Sequence, residues 1–158
     1  MVALRLVGSL LFAFIFLAAG FNTLANYDAS LAMTAKKMAP LRLPAQLVTA
    51  SFVVSIALKV LGGVLLVVGA FNPVLRKVGA YTLILFLLPV TVVIHDFWNL
   101  EEGPAKQAES AQFFKNVALL GALICFIADT HTHSGKNQET SKREERATGG
   151  RKNVKKID

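Results

Sequence analysis

Apolar positions along the chain fall into four blocks separated by polar breaks: residues 6–24, 46–70, 74–97 and 111–128. Each block approaches or exceeds the ~20 residues that cross a ~30 Å hydrocarbon layer at a rise of ~1.5 Å per residue. None alternates apolar and polar positions as the strands of a membrane barrel do. Lipid offers no partner to backbone N–H and C=O groups, so each block must satisfy its own, as a helix does. The segments between them, residues 25–45 with Pro40 and Pro44, 71–73, and 99–110 with Gly103-Pro104, read as loops. From Thr130 onward the chain is polar and charged, with almost nothing to bury. The pattern predicts an all-α fold, an integral membrane four-helix bundle over residues 1–129 with a disordered basic C-terminal tail over 130–158. Ala18-Ala19-Gly20 leaves open a second reading of the first block, as a cleaved signal peptide, under which the other three spans keep the same orientation.

Composition agrees with the pattern. Hydrophobic residues make up 54% of the 158 and charged ones 17%, too little polar surface for a soluble domain. Of the 17 Lys and Arg residues, eight follow residue 135, so most of the net charge of +7 belongs to the tail. No basic face interleaved with aromatic residues is present, and no nucleic-acid partner is expected.

Charge also orients the spans. With four crossings, Arg5, Arg76, Lys77 and the tail share one side, while Lys36, Lys37, Arg42, Lys106 and Lys115 lie on the other. Counted near the helix ends, the cations favour the tail side and place both termini in the cytosol. Lys155-Lys156-Ile157-Asp158 resembles the C-terminal dilysine retrieval signal of endoplasmic reticulum membrane proteins, with lysines three and four from the end. That resemblance implies residence in the endoplasmic reticulum membrane and coatomer as a partner of the tail, an address rather than an anchor.

Lys59 is the residue with the most chemical content. It sits near the middle of the second block, where a charge costs ~2.5–3.5 kcal/mol on insertion scales. Its stem is too short to snorkel from that depth, so it should face the bundle interior. Ser51, Ser55 and Lys59 recur every fourth residue on one helix face. Gly62, Gly63 and Gly69 follow, and they read as places where neighbouring helices approach closely. On the third block Pro89 has no N–H for the carbonyl of Leu85. His95 and Asp96 close that block beside Phe97 and Trp98, which fit an interfacial aromatic belt. Asp96 is the natural counter-charge for Lys59, although the rise per residue sets it more than ~10 Å higher. Two readings stay open: a buried charge satisfied structurally, or a polar binding site formed by Lys59, Ser55, Ser51, His95 and Asp96.

Other positions carry less. Lys115 is expected to snorkel and Asn116 to bond between helices. Asp129, His131 and His133 alternate without a second ligand cluster, so no metal is expected. Paired histidines for a haem are lacking, and no cofactor or catalytic residue is expected. Cys125 is alone and reads as packing.

Several elements together resemble the DoxX-like superfamily, and most closely the plant HR-like lesion-inducing membrane proteins. They are Arg5 with Gly8, the Phe-rich first block ending in Gly20-Phe21-Asn22, and Ala57-Leu58-Lys59 leading to Leu61-Gly62-Gly63. Two more specific ones follow, His95-Asp96-Phe97-Trp98 and the run from Phe114-Lys115-Asn116 to Gly121-Ala122-Leu123. The resemblance covers residues 1 to about 129. It implies a four-helix membrane protein linked to hypersensitive-like cell death, with distant relatives among quinol-oxidase subunits and Surfeit-type cargo receptors. The expected function is non-enzymatic: interaction, sorting or membrane homeostasis, with membrane lipids and other membrane proteins as partners. The competing expectation is an oxidoreductase-associated subunit binding quinone or a lipid-like substrate.

Overall fold

A computed structural model describes residues 2–128 of the chain as five α-helices and two short 3₁₀ turns. The helices are α1 (Val2–Ala25), α2 (Tyr27–Met38), α3 (Ala45–Val68), α4 (Pro73–Val93) and α5 (Pro104–Ala128). The turns are Ala39–Leu41 and Phe97–Asn99. The tail, with Lys155 and Lys156, and the 129–133 run lie outside the described residues.

Four of the helices are long and apolar enough to cross a membrane: α1, α3, α4 with its 3₁₀ extension to Asn99, and α5. Large apolar side chains such as Leu4, Leu11, Phe14, Leu61, Leu85 and Ile124 point outward and stay exposed. A soluble protein rarely leaves apolar patches of that extent to water, whereas hydrocarbon accommodates them. The fold is an all-α, integral membrane four-helix bundle.

Small residues set how closely the bundle packs. A Cβ on Gly62 would lie 2.7 Å from Leu83 of α4, and one on Gly79 2.8 Å from the backbone nitrogen of Leu66. One on Gly63 would lie 2.9 Å from Leu17 of α1, and one on Gly20 2.9 Å from Val60. α3 is therefore pressed between α1 and α4, with glycine on both seams. Around them Ala13, Phe16, Leu66, Ala80, Leu83, Leu87 and Leu123 form the buried core. Phe12 links α1 to α5 through Phe126, with ring centroids 5.2 Å apart.

The α3–α4 reversal is tight. Asn72 caps α4 through Oδ1, which accepts from the N–H of Val74 at 2.9 Å and of Leu75 at 3.3 Å, and Pro73 takes the first helical position. Gly69 admits the backbone of Arg76, 2.5 Å from where its Cβ would be. Before α5, Gly103 adopts φ +156°, and Pro104 again opens the helix.

Two expectations are corrected. Residues 25–45 are not a plain loop, because they contain α2. Ala29, Ala32, Ala35 and Leu31 are strong helix formers, Asp28 sits in the first turn, and Lys36 and Lys37 sit in the last. Hydropathy misses this helix because it lacks a span's apolar content. The fourth helix also starts at Pro104 rather than near residue 111. Its first turns are polar yet helix-forming, so the apolar block marks only part of it.

Candidate functional site

Ser51, Ser55 and Lys59 share one face of α3, and that face lines a cavity of about 410 Å³. α1 contributes Thr23; α2 covers one side with Ser30, Met33, Thr34 and Met38; α4 adds Phe86, Pro89, Val90, Val93 and Ile94. Phe52 and Lys59 are buried at its floor, while Met33, Ser51, Val54 and Pro89 are exposed at its rim.

Lys59 is only 7% exposed, and its Nζ donates to Thr23 Oγ1 at 2.9 Å. The ammonium also stands 5.5 Å from the centroid of the Phe86 ring, within cation–π range. Thr23 donates its own proton to the Ala19 carbonyl at 2.7 Å, which leaves its oxygen turned to accept from Lys59. The serines are tied back to their own helix: Ser51 donates to the Val48 carbonyl at 2.8 Å and Ser55 to that of Phe52 at 2.7 Å. Among the described residues no carboxylate comes within 4.0 Å of Lys59. Its contacts are thus a neutral hydroxyl and a ring face.

The pairing of Lys59 with Asp96 is not formed. Asp96 lies 3.9 Å from Lys37 Nζ and accepts from Asn99 at 3.1 Å. Lys37 meets Glu109 at 2.8 Å, and His95 Nδ1 meets Glu109 Oε2 at 2.7 Å. A polar cluster at the end of α2 therefore ties α2 to α5 and to the end of α4. The difference in depth separates Asp96 from Lys59, and Lys37 of the unforeseen α2 reaches the acid first. Of the five residues expected to form one site, the structure brings Lys59, Ser55 and Ser51 together at the cavity and places His95 and Asp96 in the second cluster.

The sequence does not mark Thr23, Phe86 or Glu109, and it shows Lys37 only as one of the orienting cations. Thr23 carried the faintest signal, a hydroxyl closing an apolar block. Leu85 points its side chain outward, while Pro89 reaches the cavity rim. Lys115 contacts Gln112, and Asn116 is buried on α5. Cys125 is exposed on the outer face of α5, so it does not pack in the core as its apolar setting implied. At the other end of the bundle, buried Arg76 lies over the Phe126 ring, 4.6 Å from its centroid. No group of three or more metal-ligating side chains occurs among the described residues. Chemically, the cavity offers one buried amine, several hydroxyls and an otherwise apolar wall, the make-up of a small-molecule site.

A family model described as HR-like lesion-inducing matches residues 1–129, a stretch that includes all five helices and both polar clusters. No curated protein and no solved structure matches the chain. The chain belongs to the HR-like lesion-inducing family.

Proposed function

We propose that the protein is a non-enzymatic protein of the endoplasmic reticulum membrane, with both termini cytosolic. It acts in interaction, sorting or membrane homeostasis by holding a membrane-derived ligand in the cavity at Lys59. The family's association with lesions, and with hypersensitive-like cell death, runs through that role. The observation that carries this reading is a buried ammonium, without a carboxylate partner among the described residues, on the wall of a cavity inside the spans. Intramembrane charges are costly and are kept mostly where they serve a function. The dilysine-like ending and the distribution of cations support the location. A quinone-binding, oxidoreductase-associated role has less support, since His95 and Asp96 belong to the Lys37–Glu109 cluster rather than to the cavity.

Lys59→Met tests the reading. Removing an incompletely paired buried charge should leave stability in detergent unchanged or raised. The variant should reach its membrane in normal amount, yet fail to rescue a null phenotype and lose ligands that co-purify with the wild type in mild detergent. Full rescue by Lys59→Met would sink the proposal.

A further inference from the structure

We propose that the cavity takes a single-chain anionic amphiphile of the long-chain carboxylate class. Its carboxylate sits on Lys59, and its hydrocarbon chain runs past Leu58 and Val90 to the rim at Met33. This rests on the reading of the cavity as a binding site and adds the chemical class of its occupant.

The head group follows from charge. Among the described residues, Lys59 is the only charged one lining the cavity. An ammonium has three N–H donors, of which Thr23 takes one. Two remain, which suits the two oxygens of a carboxylate. Such an anion supplies the counter-charge that no described carboxylate provides. A monoanion is balanced by one lysine, whereas a phosphate monoester carrying close to two charges would leave an excess in a low-dielectric setting.

The tail follows from shape and lining. About 410 Å³ is at the lower end of the ~300–1,000 Å³ of small-molecule sites. It has room for one hydrocarbon chain rather than the pair carried by a diacyl lipid. The hydroxyls of Ser51 and Ser55 are taken up within the protein, Ser55 by the Phe52 carbonyl and Ser51 by the Val48 carbonyl with Met38 Sδ 3.8 Å away, so the wall beyond Lys59 presents mainly carbon. Met33 and Met38 on α2 are unbranched and adapt to a flexible chain.

The experiment uses the full chain in nanodiscs of zwitterionic lipid, labelled with a photo-crosslinking diazirine analogue of oleate. Unlabelled oleate, methyl oleate, oleoyl lysophosphatidate and a diacyl anionic phospholipid compete. Oleate should compete at least tenfold better than the other three. Lys59→Met should weaken oleate tenfold or more while leaving methyl oleate unchanged, and Lys59→Arg should restore most of the difference. Ser55→Phe keeps Lys59 but fills the wall, and should abolish labelling, which keeps the test decisive if Lys59→Met does not fold. Equal competition by oleate and methyl oleate, or stronger competition by the phosphate-bearing lipids, overturns the carboxylate assignment alone. Failure of every chain-bearing molecule to occupy the wild-type cavity overturns both the assignment and the binding reading beneath it.

Discussion

Lys59 and Thr23 show what a single residue can and cannot reveal before the fold is known. That a mid-span lysine turns inward follows from desolvation alone, and its serine companions follow from a four-residue repeat. Its partners were not legible, because Thr23 and Phe86 are 36 and 27 positions away and meet it only through packing. Glycines are the opposite case: Gly62 and Gly63 already read as places of close approach, and the geometry gives each a neighbour. Gly79→Ala should destabilise the protein in detergent by about 1–3 kcal/mol, since the new Cβ meets backbone that cannot turn aside. Gly8→Ala meets nothing within 4 Å and should be neutral or slightly stabilising through helix propensity. Thermal unfolding of the two variants side by side checks this, and equal behaviour would show that the α3–α4 seam is looser than described.

Among the elements, the four spanning helices were readable because their apolar blocks approach the length that a bilayer demands. The short α2 was not, because its helicity depends on propensity, end charges and docking rather than on hydropathy. Its far end is held by Lys37 on Glu109, where both side chains are about three-quarters buried. Lys37→Met and Glu109→Gln should each lower thermal stability, and the double variant should lose less than the sum. The coupling should be about 1 kcal/mol, more than exposed pairs usually give. Strict additivity would mean that the ion pair does not hold α2 down. The same segment separates Asp96 from Lys59: only the docking of α2 sets Lys37 beside the acid, 3.9 Å away, and nothing in the apolar pattern announces that docking.

At the scale of the molecule, the class of fold was legible from hydropathy, and the family from short motifs spread over residues 1–129. Orientation rests on the cations. Protease added to sealed microsomes should remove a C-terminal tag, while the segment carrying α2 and the one around Gly103 should be protected. A protected tag would reverse the topology. Replacing Lys155 and Lys156 by serine, or adding two residues after Asp158, should let the protein escape towards the Golgi. Retention of both variants in the reticulum would make the ending incidental.

The consecutive glycines of α3 have a consequence for aim. At 3.6 residues per turn, each step along a helix rotates the side-chain direction by about 100°. Gly62, three steps past Lys59, therefore points about 60° to one side of it, and Gly63, four steps past, about 40° to the other. Gly62 is seated on α4 and Gly63 on α1. The bearing between them is the crevice between α1 and α4, and there Lys59 reaches Thr23 of the one and Phe86 of the other. The azimuth of the lysine is thus fixed by two residues that carry no side chain, one turn away. Any residue placed at position 59 inherits that bearing, whereas inserting one residue between 59 and 62 would swing the amine out of the crevice with every contact partner left intact.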